Sequence, residues 1–200
     1  MKFSDRFLSA LPTQILHLQR IARAALRHLA GPRSENVGGL VSMLGSCLFL
    51  LGGDVSSVAV SASFLVAELI LTRTGHTRAG YSIGCALFSL GDALAVMTSV
   101  AQDNGAFQAT LVAMAATWLI GAARAPLAWL GGRTQRPAVV AVADALQPIA
   151  GSATLVLRFP GLLAALVGGS FVGAAAVACW SAADILLGRL QSLMRSSAAD

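Results

Sequence analysis

The sequence predicts an all-α polytopic membrane protein: six transmembrane helices in one bundle, preceded by an amphipathic interfacial helix. Three observations predict it. Charged residues make up 12% of the chain and hydrophobic ones 56%, whereas a soluble domain carries about 25% charge. Mean hydropathy is +0.73, and the apolar residues come in long blocks parted by short polar breaks, the pattern of membrane spans. The basic residues sit at the ends of those blocks and form no patch on one soluble face. The net charge of +5 therefore reads as membrane topology and not as nucleic-acid binding. Lys2 is the only lysine, and the Arg- and Ala-rich composition fits a GC-rich bacterial genome.

Residues 1–36 form a cytoplasmic amphipathic segment. Pro12 is placed to open a helix and Gly31-Pro32 to end one. Between them Leu11, Ile15, Leu18, Ala22, Ala25 and Leu29 share one face, while Arg20, Arg23 and Arg27 line another beside His17. This helix is too polar to span. It is expected to contact anionic lipid head groups or a protein partner, or to pack on the protein's own loops as an anchor. No uninterrupted apolar stretch and small-residue cleavage site follow Lys2, as a secretory signal would require. The Arg-rich amphipathic start has a mitochondrial presequence as a minor alternative.

Six apolar blocks follow, at residues 37–53, 56–72, 80–101, 105–123, 137–157 and 160–187, within a transmembrane domain of 37–188. Residues 189–200 are a cytoplasmic tail. The sixth block is long enough to need tilt or a cytoplasmic extension. Strict alternation of six spans puts thirteen of the fourteen Lys and Arg residues on one side: those of the N-terminal segment, Arg73, Arg78, Arg124, Arg133, Arg136, Arg189 and Arg195. Only Arg158 falls opposite, with Asp54 and Asp103. The positive-inside rule then places both termini in the cytoplasm of a bacterial inner membrane. Three spans plus three also suggest inverted halves, 37–101 and 105–188. An acidic residue followed closely by leucine recurs at Glu68-Leu69, Asp92-Ala93-Leu94, Asp144-Ala145-Leu146 and Asp184-Ile185-Leu186.

Those four acids are the residues that could carry chemistry. An acid at a span centre costs roughly 2.5–3.5 kcal/mol on the insertion scale, while each Leu or Val returns about 0.3–0.6. The eight larger aliphatics from Val139 to Leu157 recover little more than Asp144 costs, so the fifth span should be buried with its polar groups inward. By helical rise, Asp92 lies roughly 20 Å from the cytoplasmic start of its span and Asp144 roughly 10 Å up the fifth. Asp92, Asp144, Gln147 and Pro148 are thus the candidate polar membrane path, with Pro148 and Gly151 able to interrupt the helix. Glu68 and Asp184, nearer the cytoplasmic ends, are expected to form interfacial ion pairs with Arg73, Arg124 and Arg189. Gly169-x-x-x-Gly173 permits close helix contact, internal or between copies.

Cys47, Cys85 and Cys179 each stand alone in apolar blocks, and His17, His28 and His76 lie outside the spans. No metal site, haem or disulfide framework is expected, and no cofactor. There is no P-loop, HExxH or GxSxG motif, so the chain is not expected to be an enzyme.

Phe49-Leu50-Leu51-Gly52, the small-residue span ending Leu71-Thr72-Arg73-Thr74, Thr117-Trp118 and Gly169-Ser170-Phe171 resemble an uncharacterised family of bacterial inner-membrane proteins. The triple-helix-bundle layout of that family is similar to SWEET and PQ-loop proteins. The resemblance implies architecture and no site residues. The chain departs from it in having Gln147-Pro148 in reverse order and an amphipathic first helix in place of a seventh span.

The expected function is transport of a small solute or ion through the helical bundle. The alternative is a non-catalytic accessory or scaffold subunit, bound to a larger membrane complex or to further copies of itself. The charge split makes a topology prediction. In a cysteine-free background, single cysteines near Asp54 and Asp103 should react with impermeant reagent from the periplasm, and those near His76 and Arg133 only from the cytoplasm. Asp103 and Arg133 on the same side would refute six spans.

Overall fold

Polar caps and glycines between the apolar blocks set the helix boundaries. The computed structural model describes residues 34–186, which are helical with no β-strand among them. The N-terminal amphipathic helix, with Arg20, Arg23 and Arg27, and the tail with Arg189 lie outside the described residues.

Helix α1 (Ser34–Leu48) runs into a 3-10 turn, Phe49–Gly52, that ends at Gly53 with φ +73°. Only glycine enters that left-handed region without strain. Asp54 caps α2 (Val55–Thr74), its carboxylate accepting the Ser57 N–H at 2.6 Å. Its other oxygen accepts from Ser99 N and Oγ at 3.1 and 2.9 Å, which ties the α1–α2 turn to the loop after α3. These backbone donors, Ser99 first, hold the Asp54 carboxyl down at about 2. Thr77 caps α3 (Arg78–Ala95) through the Gly80 N–H. Asn104 caps α4 (Gly105–Ala122) through the Phe107 N–H, and its amide also donates to the Ala164 carbonyl at 2.8 Å. The chain bends at Ala123 into α5 (Arg124–Arg133), then turns into α6 (Pro137–Val167), which has proline in its first turn. A turn at residues 168–170 leads to α7 (Phe171–Leu186).

Three helical stretches are long and apolar enough to cross a membrane: Val55–Thr74, Gly105–Arg133 and Pro137–Val167. Two shorter apolar helices, Gly38–Gly52 and Phe171–Ile185, accompany them. Large apolar side chains also point outward, among them Leu51, Val55, Ile83, Leu119, Val156 and Phe159. Such an outward apolar belt suits lipid and not water.

Two expectations fail here. The helix does not end at Arg158: α6 continues through Pro160 to Val167, and the turn falls at Gly168 and Gly169, the latter at φ +76°. Nor does Pro148 interrupt α6. Each proline removes one backbone donor, but the neighbouring bonds hold, and the Ser152 hydroxyl donates to the Pro148 carbonyl at 2.6 Å.

In cross-section the helices neighbour one another in the order α1, α2, α3, α4, α6, α7 and back to α1, with α5 against the start of α6. Packing is closest within α2–α3–α4–α6 and between α1 and α7. It is loosest at two seams, α1–α2 and α6–α7. An aromatic chain fills the middle: Phe49 stacks on Trp180, Trp180 meets Phe64 edge-on at 4.8 Å, and Phe88 stacks on Trp118 at 4.9 Å.

Close approach of α1 to α7 depends on Gly45. A β-carbon there would lie 2.9 Å from the Cys179 side chain and 3.0 Å from the Ala176 carbonyl, which is backbone and cannot swing aside. Gly45→Leu should lower stability by roughly 1–3 kcal/mol through overpacking. Gly39→Leu, facing open space, should leave it unchanged or raise it. Thermal unfolding in detergent distinguishes the two, and equal effects would discount the α1–α7 contact.

Candidate functional site: a buried charged centre

Helical spacing assembles the site. Residues four apart share a helix face, and three helices each contribute such a pair: Ser42 and Ser46 from α1, Thr154 and Arg158 from α6, Trp180 and Asp184 from α7. Glu68 on α2 and Asp92 on α3 complete it.

Arg158 and Asp184 form an ion pair between α6 and α7, and both are buried. The guanidinium also donates to the Trp180 carbonyl at 2.7 Å. The Trp180 indole N–H donates to the Ser46 hydroxyl at 3.3 Å, and Ser46 donates in turn to the Ser42 carbonyl. The Ser42 hydroxyl donates to Glu68, itself buried, and Ser61 on α2 donates to the Ser46 carbonyl at 2.9 Å. A continuous polar thread therefore runs from α2 through α1 and α7 to α6. Thr154 meets Thr117 of α4 at 3.1 Å, linking the α4–α6 contact to the same region.

Asp92 is 2% exposed. Among the described residues no side chain or backbone group donates a hydrogen bond to its carboxylate, and the charged side chain that shares its cavity is Arg158. Asp92, Arg158 and Thr154 line one cavity of about 10 Å³, whose walls are Phe64, Phe88, Met114, Trp118 and Trp180. That is about the space one water needs. The centre thus holds a guanidinium, two aspartates and a cavity of molecular-water size, with Glu68 at the far end of the thread.

A second cluster marks the opposite rim of the bundle. Asp144 accepts from Arg78 Nε and Nη2 at 3.0 and 2.7 Å, and from Arg124 Nη2 at 3.3 Å. The Asp144 side chain is 42% exposed. Arg124 also lies over the Tyr81 ring at 5.5 Å. Nineteen residues separate Gly105 from Arg124, about 28 Å of helical rise, close to the thickness of a hydrocarbon core.

The structure redistributes the residues expected from sequence. Asp92 lies in the interior, but Asp144 is not beside it: two arginines hold Asp144 at the rim. Gln147 and Pro148 face outward on the exposed side of α6. The Gln147 backbone carbonyl, not its side chain, makes the inward contact by accepting from Tyr81 at 3.2 Å. Asp184 pairs with Arg158 in the core instead of forming an interfacial pair. Glu68 takes Ser42, and Arg73 is exposed at the end of α2. Arg124 does form a rim pair, with Asp144. Sequence reasoning missed Arg158, Thr154, Trp180, Ser42 and Ser46. Arg158 did carry a signal, as the one basic residue on the side the positive-inside rule leaves empty. The serines and Trp180 carried none.

Among the described residues no group of three His, Cys, Asp or Glu side chains could hold a metal. No protein-family model matches the chain, and neither a curated protein nor a solved structure is significantly similar to it.

Removing one partner of a buried ion pair strands the other's charge, at roughly 3–5 kcal/mol. Arg158→Met and Asp184→Leu should each destabilise by about that amount, and the double variant should recover most of it. Unfolding midpoints of the three proteins in detergent would measure the cycle. Additive losses would mean the pair does not hold α6 to α7.

Proposed function

We propose that the chain is a six-span protein of the bacterial inner membrane that moves a small solute or ion through its helical bundle. The single observation that carries this reading is the buried charged centre. Ionisable side chains inside a membrane bundle are costly and mark ion or substrate pathways. Asp92, Arg158, Asp184 and Thr154 line or support the passage, in place of the Asp144–Gln147–Pro148 path.

The packing supports motion. Both loose seams are bridged by polar groups: α6–α7 by Arg158 and Asp184, α1–α2 by Ser42 with Glu68 and Ser61 with Ser46. The remaining contacts in the core are largely apolar and aromatic. The α1–α7 pair is therefore a unit that can rock against α2–α3–α4–α6, as alternating access requires. Orientation follows from the corrected turn. With Arg158 inside α6, the turns and loops at residues 53–54, 96–104 and 168–170 carry no Lys or Arg. The positive-inside rule then puts the opposite ends, with both termini, in the cytoplasm.

A deletion strain complemented with variants tests the reading against the scaffold alternative. Asp92→Asn keeps size and polarity but cannot exchange a proton or neutralise a cation. It should fold, reach the membrane and lose most complementation of whatever defect the deletion causes. Asp144→Asn, at the rim, should keep most of it. Full complementation by Asp92→Asn at normal membrane abundance would reject transport in favour of a non-catalytic scaffold.

A further inference from the structure

The charges in the centre do not balance. Asp184 already neutralises Arg158 through their ion pair. Asp92 lines the same cavity as Arg158, and one guanidinium cannot fully compensate two carboxylates in a medium of low dielectric. Arg158 of α6 is the charged side chain that lines the cavity with Asp92. Asp184 and the Trp180 carbonyl of α7 are held by Arg158, and Glu68 of α2 is held by Ser42. Helix α4 contributes Met114 and Trp118, neither of them titratable; on α3 itself, Tyr81 and Cys85 lie two turns or more below. Arg124 of α5 is engaged at the rim with Asp144. Among the described residues, no cation besides Arg158 lines the cavity with Asp92.

The cavity selects what can supply one. At about 10 Å³ it has room for a single water. A metal cation would need several oxygen ligands beside the like-charged guanidinium. Besides Asp92, the cavity lining offers the Thr154 hydroxyl, which already donates to the Ala150 carbonyl at 2.8 Å, and walls of aromatic rings and a thioether. A proton needs one carboxylate oxygen and no coordination shell.

We propose that Asp92 is an exchangeable proton-binding site, and that its proton decides whether Arg158 stays wholly engaged with Asp184 across the α6–α7 seam. This rests on the transport reading and names its coupling ion. In the uptake step a hydronium ion gives its proton to an Asp92 carboxylate oxygen; an O–H bond forms and a water molecule is left. With Asp92 neutral, Arg158 serves Asp184 alone and the seam is closed. With Asp92 ionised, the two carboxylates compete for one guanidinium and the hold of α6 on α7 weakens. A charge change at one residue thus acts on one of the two loose boundaries of the ring, the two-state element that coupling requires.

The test is infrared difference spectroscopy across a pH titration of the full chain in lipid nanodiscs, in H₂O and D₂O. Wild type should show a protonated-carboxyl stretch that shifts in D₂O and disappears with the release of one proton per chain. Asp92→Asn should lack the band, Asp92→Glu should restore it at a shifted position, and Asp144→Asn should leave it unchanged. Cysteine pairs in contact across the closed α6–α7 seam should crosslink more slowly, relative to a pair across the tight α1–α7 contact, at the pH where the band is absent, and Asp92→Asn should abolish that difference. A wild-type protein without the band, or a band retained in Asp92→Asn, overturns the proposal. So does a titration displaced saturably by sodium ion alone, which would make Asp92 a cation site. Any of these leaves solute passage standing, since that is judged by complementation. Complementation by Asp92→Asn rejects passage even where the band is found.

Discussion

The Arg158–Asp184 pair is the constraint on which the rest of the bundle depends. By helical rise, Arg158 lies about 15 Å below the turn at Gly168, and Asp184 about 20 Å below the start of α7. The length of an arginine side chain spans that difference. The pair therefore fixes how far α7 slides along α6. The same guanidinium holds the Trp180 carbonyl. Trp180 in turn packs against Phe49 and Phe64 and donates to Ser46. One buried cation thus sets the register of α7, and through Trp180 the seating of α1.

Such a pair is a poor source of stability in itself. Desolvating each ion costs several kcal/mol, and well-packed hydrophobic residues often do as well or better. What the pair supplies is directional and exclusive: a guanidinium has one set of partners at a time. That property is of little use in a static seal. It matters at a boundary between units that must separate and rejoin in one register. The two seams of this ring are bridged by polar contacts, while the aromatic chain packs the interior between them.

Much of the architecture is legible in the sequence, and its failures have one physical source. The apolar blocks are local features, and apart from the α6–α7 boundary the helices follow them closely. The partnering of charges is not local. Arg158 and Asp184 are 26 residues apart, on helices whose facing sides no periodicity specifies in advance. Hydropathy treats an arginine as the end of a span, so Arg158 with Phe159-Pro160 reads as a loop. The structure makes it the centre. Ser42, Ser46 and Trp180 are ordinary residues of apolar helices until a neighbouring helix gives them a polar partner.

The two aspartates of the expected polar path show how the same arithmetic gives opposite answers. Depth along a helix is meaningful only from an origin at the membrane surface. Helix α3 begins at the rim, where Arg78 meets Asp144, so roughly 20 Å of rise carries Asp92 into the interior. Helix α6 begins one hairpin earlier, packed against α5 beyond that rim, and its first two turns are spent reaching it. Asp144 therefore arrives where Arg78 and Arg124 are waiting, half-exposed and twice paired. Asp92 arrives among Phe64, Phe88, Trp118 and Trp180 with an arginine already taken. The difference between a surface clamp and a buried acid is thus set by the α5–α6 hairpin, a feature remote from either aspartate. It concentrates the unbalanced charge of the bundle on a single carboxylate, beside the seam that this charge can loosen.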